Sequence, residues 1–152
     1  MPGTISIPIP SSFKRDVIVV VEDSKPAAIT LCGLLGKLNF DVIEFGDGHD
    51  AWEWFQKLPI NECKRIKAIF SDVSMPKMDG VVLLRKVRTR VEFHGTKFVF
   101  CSAIIDPKIV REAISLRSNG YIVKPVMPSV LKKKIDEIFS PQTPATAIKK
   151  SS

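Results

Sequence analysis

The chain has little cysteine, histidine or tyrosine: three, two and one residues in 152. Cys32, Cys63 and Cys101 form an odd set with no C-x-x-C spacing, which argues against a disulfide framework or a cysteine zinc site and leaves buried or idle thiols. His49 and His94 stand apart in the sequence, so a histidine metal centre has little support. Long apolar runs are also missing: nothing reaches the ~18 residues that a bilayer span needs. The apolar segment from Ile5 to Pro10 is short, broken by prolines, and followed rather than preceded by Lys14 and Arg15. That is the wrong order for a secretory signal, and a cytoplasmic protein is expected.

What is present suffices for one core. The chain is 45% hydrophobic and 26% charged, outside the range of intrinsic disorder. At this length, folding removes roughly 70% of the unfolded surface from water. Proline, serine and threonine gather at the ends, so residues 1–14 read as an N-terminal arm, 15–139 as the domain, and 140–152 as a C-terminal tail. The net charge of +7 is uneven: residues 1–76 hold 8 Lys/Arg against 10 Asp/Glu, and residues 77–152 hold 15 against 6. Such polarity suits nucleic acid, an acidic protein surface or anionic lipid, and equally a solvated face.

Five runs rich in β-branched and aromatic residues alternate with helical patterns: Asp16 to Val21, Asp41 to Phe45, Ala68 to Ser71, Lys97 to Cys101 and Tyr121 to Val123. Continuously apolar runs such as Val17 to Val21 are those of strands buried on both faces, which implies a parallel sheet. Ser24, Asp79 and Asp106 followed by Pro107 are helix starts, and a last helix follows Pro128. Leu31, Leu34, Leu35 and Leu38 should face inward, as should Val82, Leu83 and Val87, and then Leu131, Ile135, Ile138 and Phe139. The order is strand then helix, five times: an α/β domain with a doubly wound, five-stranded parallel sheet.

In such sheets ligands bind beyond the carboxyl ends of the strands. Those ends carry Glu22-Asp23, Asp72, Ser102-Ala103 and Lys124-Pro125. Parallel strands would gather three carboxylates, an ammonium and a hydroxyl at one rim. Carboxylates that close repel unless a cation lies between them, and oxygen-only ligation beside a phosphate suits Mg²⁺. Asp72 could then stay ionised as a nucleophile toward phosphorus, with Lys124 and Ser102 meeting the phosphoryl oxygens.

The segments Val21-Glu22-Asp23-Ser24, Ser71 to Gly80 (SDVSMPKMDG), Ser102-Ala103 and Tyr121-Ile122-Val123-Lys124-Pro125 resemble, in order, the receiver domain of two-component response regulators. The resemblance spans about residues 15–139. It implies a flavodoxin-like fold with strand order 2-1-3-4-5, and Asp72 as acceptor of a phosphoryl group from a histidine kinase or phosphotransfer protein. Asp23 would bind Mg²⁺ directly and Glu22 through water, with Asp72 and the Ser74 backbone carbonyl completing the protein ligands. Ser102 and Tyr121 would be the switch residues, Lys124 the phosphate partner ahead of a cis proline bond, and Ala103 the small residue that leaves the phosphate accessible. An apolar Ile104 implies slow loss of the phosphate.

The expected output is protein binding through the fourth helix, fifth strand and fifth helix, to an unidentified target or a second copy of the chain. Thirteen residues after Phe139 are too few for a helix-turn-helix module, so direct DNA binding is not expected. Three other readings use the same pocket: the detached receiver of a hybrid kinase, a phosphate sink without output, and an aspartyl-phosphate phosphohydrolase. The last is disfavoured because Ser74 stands where such enzymes carry a second Asp as general acid. A switch without separate turnover is expected.

Overall fold

The computed structural model describes residues 8–140. Five strands, β1 (Val17–Val21), β2 (Asp41–Phe45), β3 (Ile66–Ser71), β4 (Lys97–Ser102) and β5 (Gly120–Val123), form one sheet in the order β2-β1-β3-β4-β5. Every neighbouring pair is parallel. The expected architecture and strand order are therefore present, with β3 beginning two residues before the Ala68 expected from the sequence.

Successive strand side chains point to opposite faces. Val17, Val19 and Val21 accordingly join one core cluster, and Ile18 and Val20 the other. The first cluster lies under α2 (Gly48–Lys57), α3 (Ile60–Cys63), α4 (Gly80–Arg88) and α5 (Pro107–Ser115). The second lies under α1 (Lys25–Lys37) and α6 (Pro128–Phe139). Helices on both faces explain why β1 is buried at every residue and reads as an unbroken apolar run.

The helix starts follow the side-chain chemistry. Ser24, Asp47, Asp79 and Asp106 each accept a backbone N–H of the helix they precede, satisfying donors that have no partner inside the helix. The structure also departs from expectation in several places. One short helix, α3, and a 3₁₀ turn at Val91–Phe93 are added, so the helices expected as fourth and fifth are α5 and α6. In α4 the buried residues are Val81, Leu83, Leu84 and Val87, while Val82 is only half-buried. Phe139 is exposed at the end of α6, its ring 5.8 Å from that of Phe40, because the inward face of the helix is taken by Leu131, Ile135 and Ile138.

Residues 8–13 of the expected N-terminal arm lie against the domain. Ile9 is buried in the first core cluster and its N–H donates to Glu62 Oε1 at 2.8 Å, while Arg65 holds the Phe13 carbonyl at 2.8 Å. Lys14, the last residue of the expected arm, donates its backbone N–H to Asp41 Oδ2 at 2.9 Å, whereas residues 1–7 and the expected tail beyond residue 140 lie outside the described residues.

Candidate functional site

The strand register brings the expected site residues level. Val21 pairs with Ser71, so Glu22 and Asp72 leave adjacent strands side by side, and Asp72 N–H donates to the Val21 carbonyl at 2.9 Å. Ser102 pairs with Val123, which puts Lys124 one residue further, its N–H on the Ser102 carbonyl at 2.8 Å. The Lys124–Pro125 bond is cis.

At this rim the Lys124 ammonium bridges two carboxylates, 2.5 Å from Glu22 Oε1 and 2.9 Å from Asp72 Oδ2. The other oxygen of each carboxylate accepts a backbone N–H: Glu22 Oε2 from Ser24 and Asp72 Oδ1 from Val73. Burial pushes the Glu22 carboxyl above its usual range, a rise only partly offset by the hydrogen bonds from Lys124 and Ser24. For Lys124 burial pulls downward, but the hydrogen bonds to Glu22 and Asp72 outweigh it and hold the ammonium above its ordinary value.

Asp23 is exposed beside them, and oxygens of Glu22, Asp23 and Asp72 lie within 4.8 Å of one another. One lysine cannot balance three carboxylates. An all-oxygen donor set of this kind fits a hard divalent cation with room for water. The rim also opens onto a concavity of about 460 Å³ between the start of α1 and the segment after β5, lined by Pro26, Ala27, Cys101, Ala103 and Val126 beside Glu22 and Lys124. Of these apolar lining residues only Ala103 carries a signal of a site in the sequence; Pro26, Ala27, Cys101 and Val126 look like ordinary packing.

Ser102 is buried at the end of β4, and its Oγ accepts the Ile104 N–H at 3.3 Å. The half-buried Tyr121, its ring 6.1 Å from Phe100, donates its hydroxyl to the Ile104 carbonyl at 2.7 Å. Both expected switch residues thus hold one loop residue, which is itself 72% exposed. Ser74 is exposed in the loop after β3. Where that loop enters α4, Gly80 is required by close approach: a Cβ there would overlap the Asp72 carbonyl oxygen and come within 2.9 Å of the Phe100 ring.

A second group, Asp47, His49 and Asp50, also gathers within 4.8 Å, which the separation of the two histidines in sequence did not suggest. Its acids have other partners: Asp47 caps α2 through Asp50 N–H and faces Lys77 at 3.6 Å, and Asp50 faces His49 at 3.5 Å.

The profile of the response regulator receiver domain matches residues 18–136. Chemotaxis protein CheY1 of Helicobacter pylori is 33% identical over 123 residues, covering 80% of this chain and 95% of that protein. A CheY homologue of Campylobacter jejuni is 31% identical over 123 residues, covering 80% and 91%. Among solved structures, chemotaxis protein CheY4 of Vibrio cholerae superposes with a TM-score of 0.73 at 25% identity, covering 83% of this chain and all of that one. Fold, rim geometry and these likenesses converge: the chain belongs to the response regulator receiver domain family.

Proposed function

We propose that the chain is a phosphoacceptor switch in a two-component phosphorelay, with Asp72 the acceptor and a histidine kinase or phosphotransfer protein the donor. The observation that carries this reading is the Asp72 carboxylate, held by Lys124 at 2.9 Å among the oxygens of Glu22 and Asp23. In the transfer, an Asp72 carboxylate oxygen attacks phosphorus, the P–N bond to the donor imidazole breaks, and its electron pair returns to the ring nitrogen. The product is an aspartyl phosphate.

Mg²⁺ would be held by Asp23, Asp72 and the Ser74 carbonyl, with Glu22 reaching it through water, and would offset charge on the phosphoryl oxygens. Lys124, displaced from Asp72 by the new phosphoryl group, keeps its Glu22 partner and pairs with a phosphoryl oxygen. The shared hold on Ile104 supports the switch reading. A Ser102 hydroxyl drawn to the phosphate lets go of the Ile104 N–H, and Tyr121 meets the change at the Ile104 carbonyl. The surface that responds is α5, β5 and α6, where Val123 of β5, with Ile104 and Ile105 of the loop leading into α5, is exposed for a protein target or a second copy of the chain.

The test is transfer from a phosphohistidine donor in Mg²⁺. Wild-type protein should gain one phosphoryl group and Asp72→Asn none; label persisting in Asp72→Asn would refute the assignment. The lability of the bond to base identifies an acyl phosphate. Loss of the phosphate within seconds in the isolated protein would contradict the slow hydrolysis expected from Ile104.

A further inference from the structure

The opposite end of the sheet has no part in this chemistry and a different electrostatic character. Where β1 and β3 begin, a cavity of about 260 Å³ is lined by Lys14, Arg15, Lys64, Arg65 and Lys67, with Asp16 the one acid. Where β4 and β5 begin, a second cavity of about 210 Å³ is lined by Arg88, His94, Lys97 and Arg117 and by no acid. The two are neighbours, since Thr96 lines the second and donates its hydroxyl to the carbonyl of Ile66, which lies between Arg65 and Lys67 of the first.

Some of these cations have structural work. Arg15 pairs with Asp41 at 2.9 Å, and Arg65 holds the Phe13 carbonyl. Arg88 donates to the carbonyls of Phe93, Thr96 and Arg117 and to Asn119 Oδ1, all neutral acceptors, and its buried Nε has no partner. Burial first, and then the charge of Arg117, draw the Arg88 guanidinium below its ordinary pKa, as expected where no anion stands opposite. Among the described residues, no carboxylate lies within ion-pair distance of Lys14, Lys64, Lys67, Lys97 or Arg117. On α6, by contrast, Lys132 pairs with Asp136 and Lys134 with Glu137.

We propose that this amino-terminal edge of the sheet is a docking surface for an acidic protein segment, whose carboxylates seat in the two cation-lined cavities. The unpaired positive charge of the edge is complementary to an anionic partner, and the lining selects among anions. Neither cavity presents a Phe, Tyr or Trp on which a base could stack, nor a large aliphatic side chain that could enter a bilayer. Exposed Lys14, Lys64, Lys67 and Arg117, set around the half-buried Arg65, Arg88 and Lys97, suit carboxylates borne one by one along a chain. Because the edge lies at the far end of the strands from Asp72, such binding adds a second contact that leaves the phosphoacceptor rim free.

The experiment is fluorescence anisotropy of labelled poly-L-glutamate with the full chain, at low and at physiological ionic strength. Lys64→Glu/Lys67→Glu and, separately, Lys97→Glu should each weaken binding about tenfold, whereas Lys133→Glu on α6 should change it less than about twofold. Asp72→Asn should bind as wild type. Thermal melts confirm folding, and Lys64→Gln/Lys67→Gln should give an intermediate loss. The proposal is overturned by equal weakening in Lys133→Glu, which would reduce the effect to net charge. It is overturned equally if duplex DNA or phosphatidylserine vesicles bind the edge more tightly than poly-glutamate.

Discussion

The two ends of one sheet hold charge in opposite ways. At the carboxyl end, Glu22, Asp72 and Lys124 are largely buried and interlocked at 2.5 and 2.9 Å, so every charge depends on its neighbours. At the amino end, Lys14, Lys64, Lys67, Lys97 and Arg117 have no carboxylate within ion-pair distance among the described residues, and all but the half-buried Lys97 are exposed. The first arrangement makes a reactive group whose state changes with whatever enters the rim. The second is suited to long-range attraction, which salt screens over about 8 Å at physiological ionic strength. Chemistry and adhesion are thus separated by the length of a strand.

The contrast is broken most severely where the rim depends on backbone approach. Gly80→Ala forces a Cβ into the Asp72 carbonyl and the Phe100 ring, and should cost about 3 kcal/mol in thermal or denaturant unfolding. The cationic edge should keep its affinity for poly-glutamate in whatever fraction remains folded. Removing the rim's ammonium comes next. Lys124→Met leaves Glu22 and Asp72 facing each other and should destabilise the metal-free protein by about 2 kcal/mol, with part of the loss regained on adding Mg²⁺. An equal loss with and without Mg²⁺ would show that no cation takes up the carboxylate charge.

The pH dependence sharpens the difference between the ends. Glu22 is raised in the folded protein, so the folded state binds its proton more tightly than the unfolded one. Its contribution to stability therefore falls as pH rises from the ordinary carboxyl value of 4.5 through the raised folded value. An NMR titration of metal-free protein should place Glu22 above that value, and Mg²⁺ should bring it down. The smallest effect is expected at the switch. Tyr121→Phe removes one partly exposed hydrogen bond to Ile104 and should cost under about 1 kcal/mol, while weakening the coupling between phosphorylation and partner binding.

The rim was far easier to read from sequence than the edge, for a physical reason. Strands buried on both faces announce themselves as apolar runs, and the first polar residue after each run falls at the same end of a parallel sheet. Glu22, Asp72, Ser102 and Lys124 could be gathered that way before any coordinates. The edge had no such signal. Lys14, Arg15, Lys64, Arg65 and Lys67 belong to the half of the chain whose net charge is negative, and only the topology sets them beside Lys97 and Arg117. The docking of Ile9 was hidden likewise, since one isoleucine among prolines has no period to read. In α4, apolar residues at 81, 82, 83, 84 and 87 leave the inward face underdetermined until the neighbouring helices choose it.

The central claim is that Asp72, beside an acidic pair that holds a divalent cation, is the group that accepts phosphate. It is tested most directly by incubating the chain with a small acyl-phosphate donor, with and without Mg²⁺, and measuring intact mass. One added phosphoryl group is expected, which requires Mg²⁺, maps to Asp72 and is lost in base. Incorporation that proceeds equally without the metal, or survives Asp72→Asn, would contradict it.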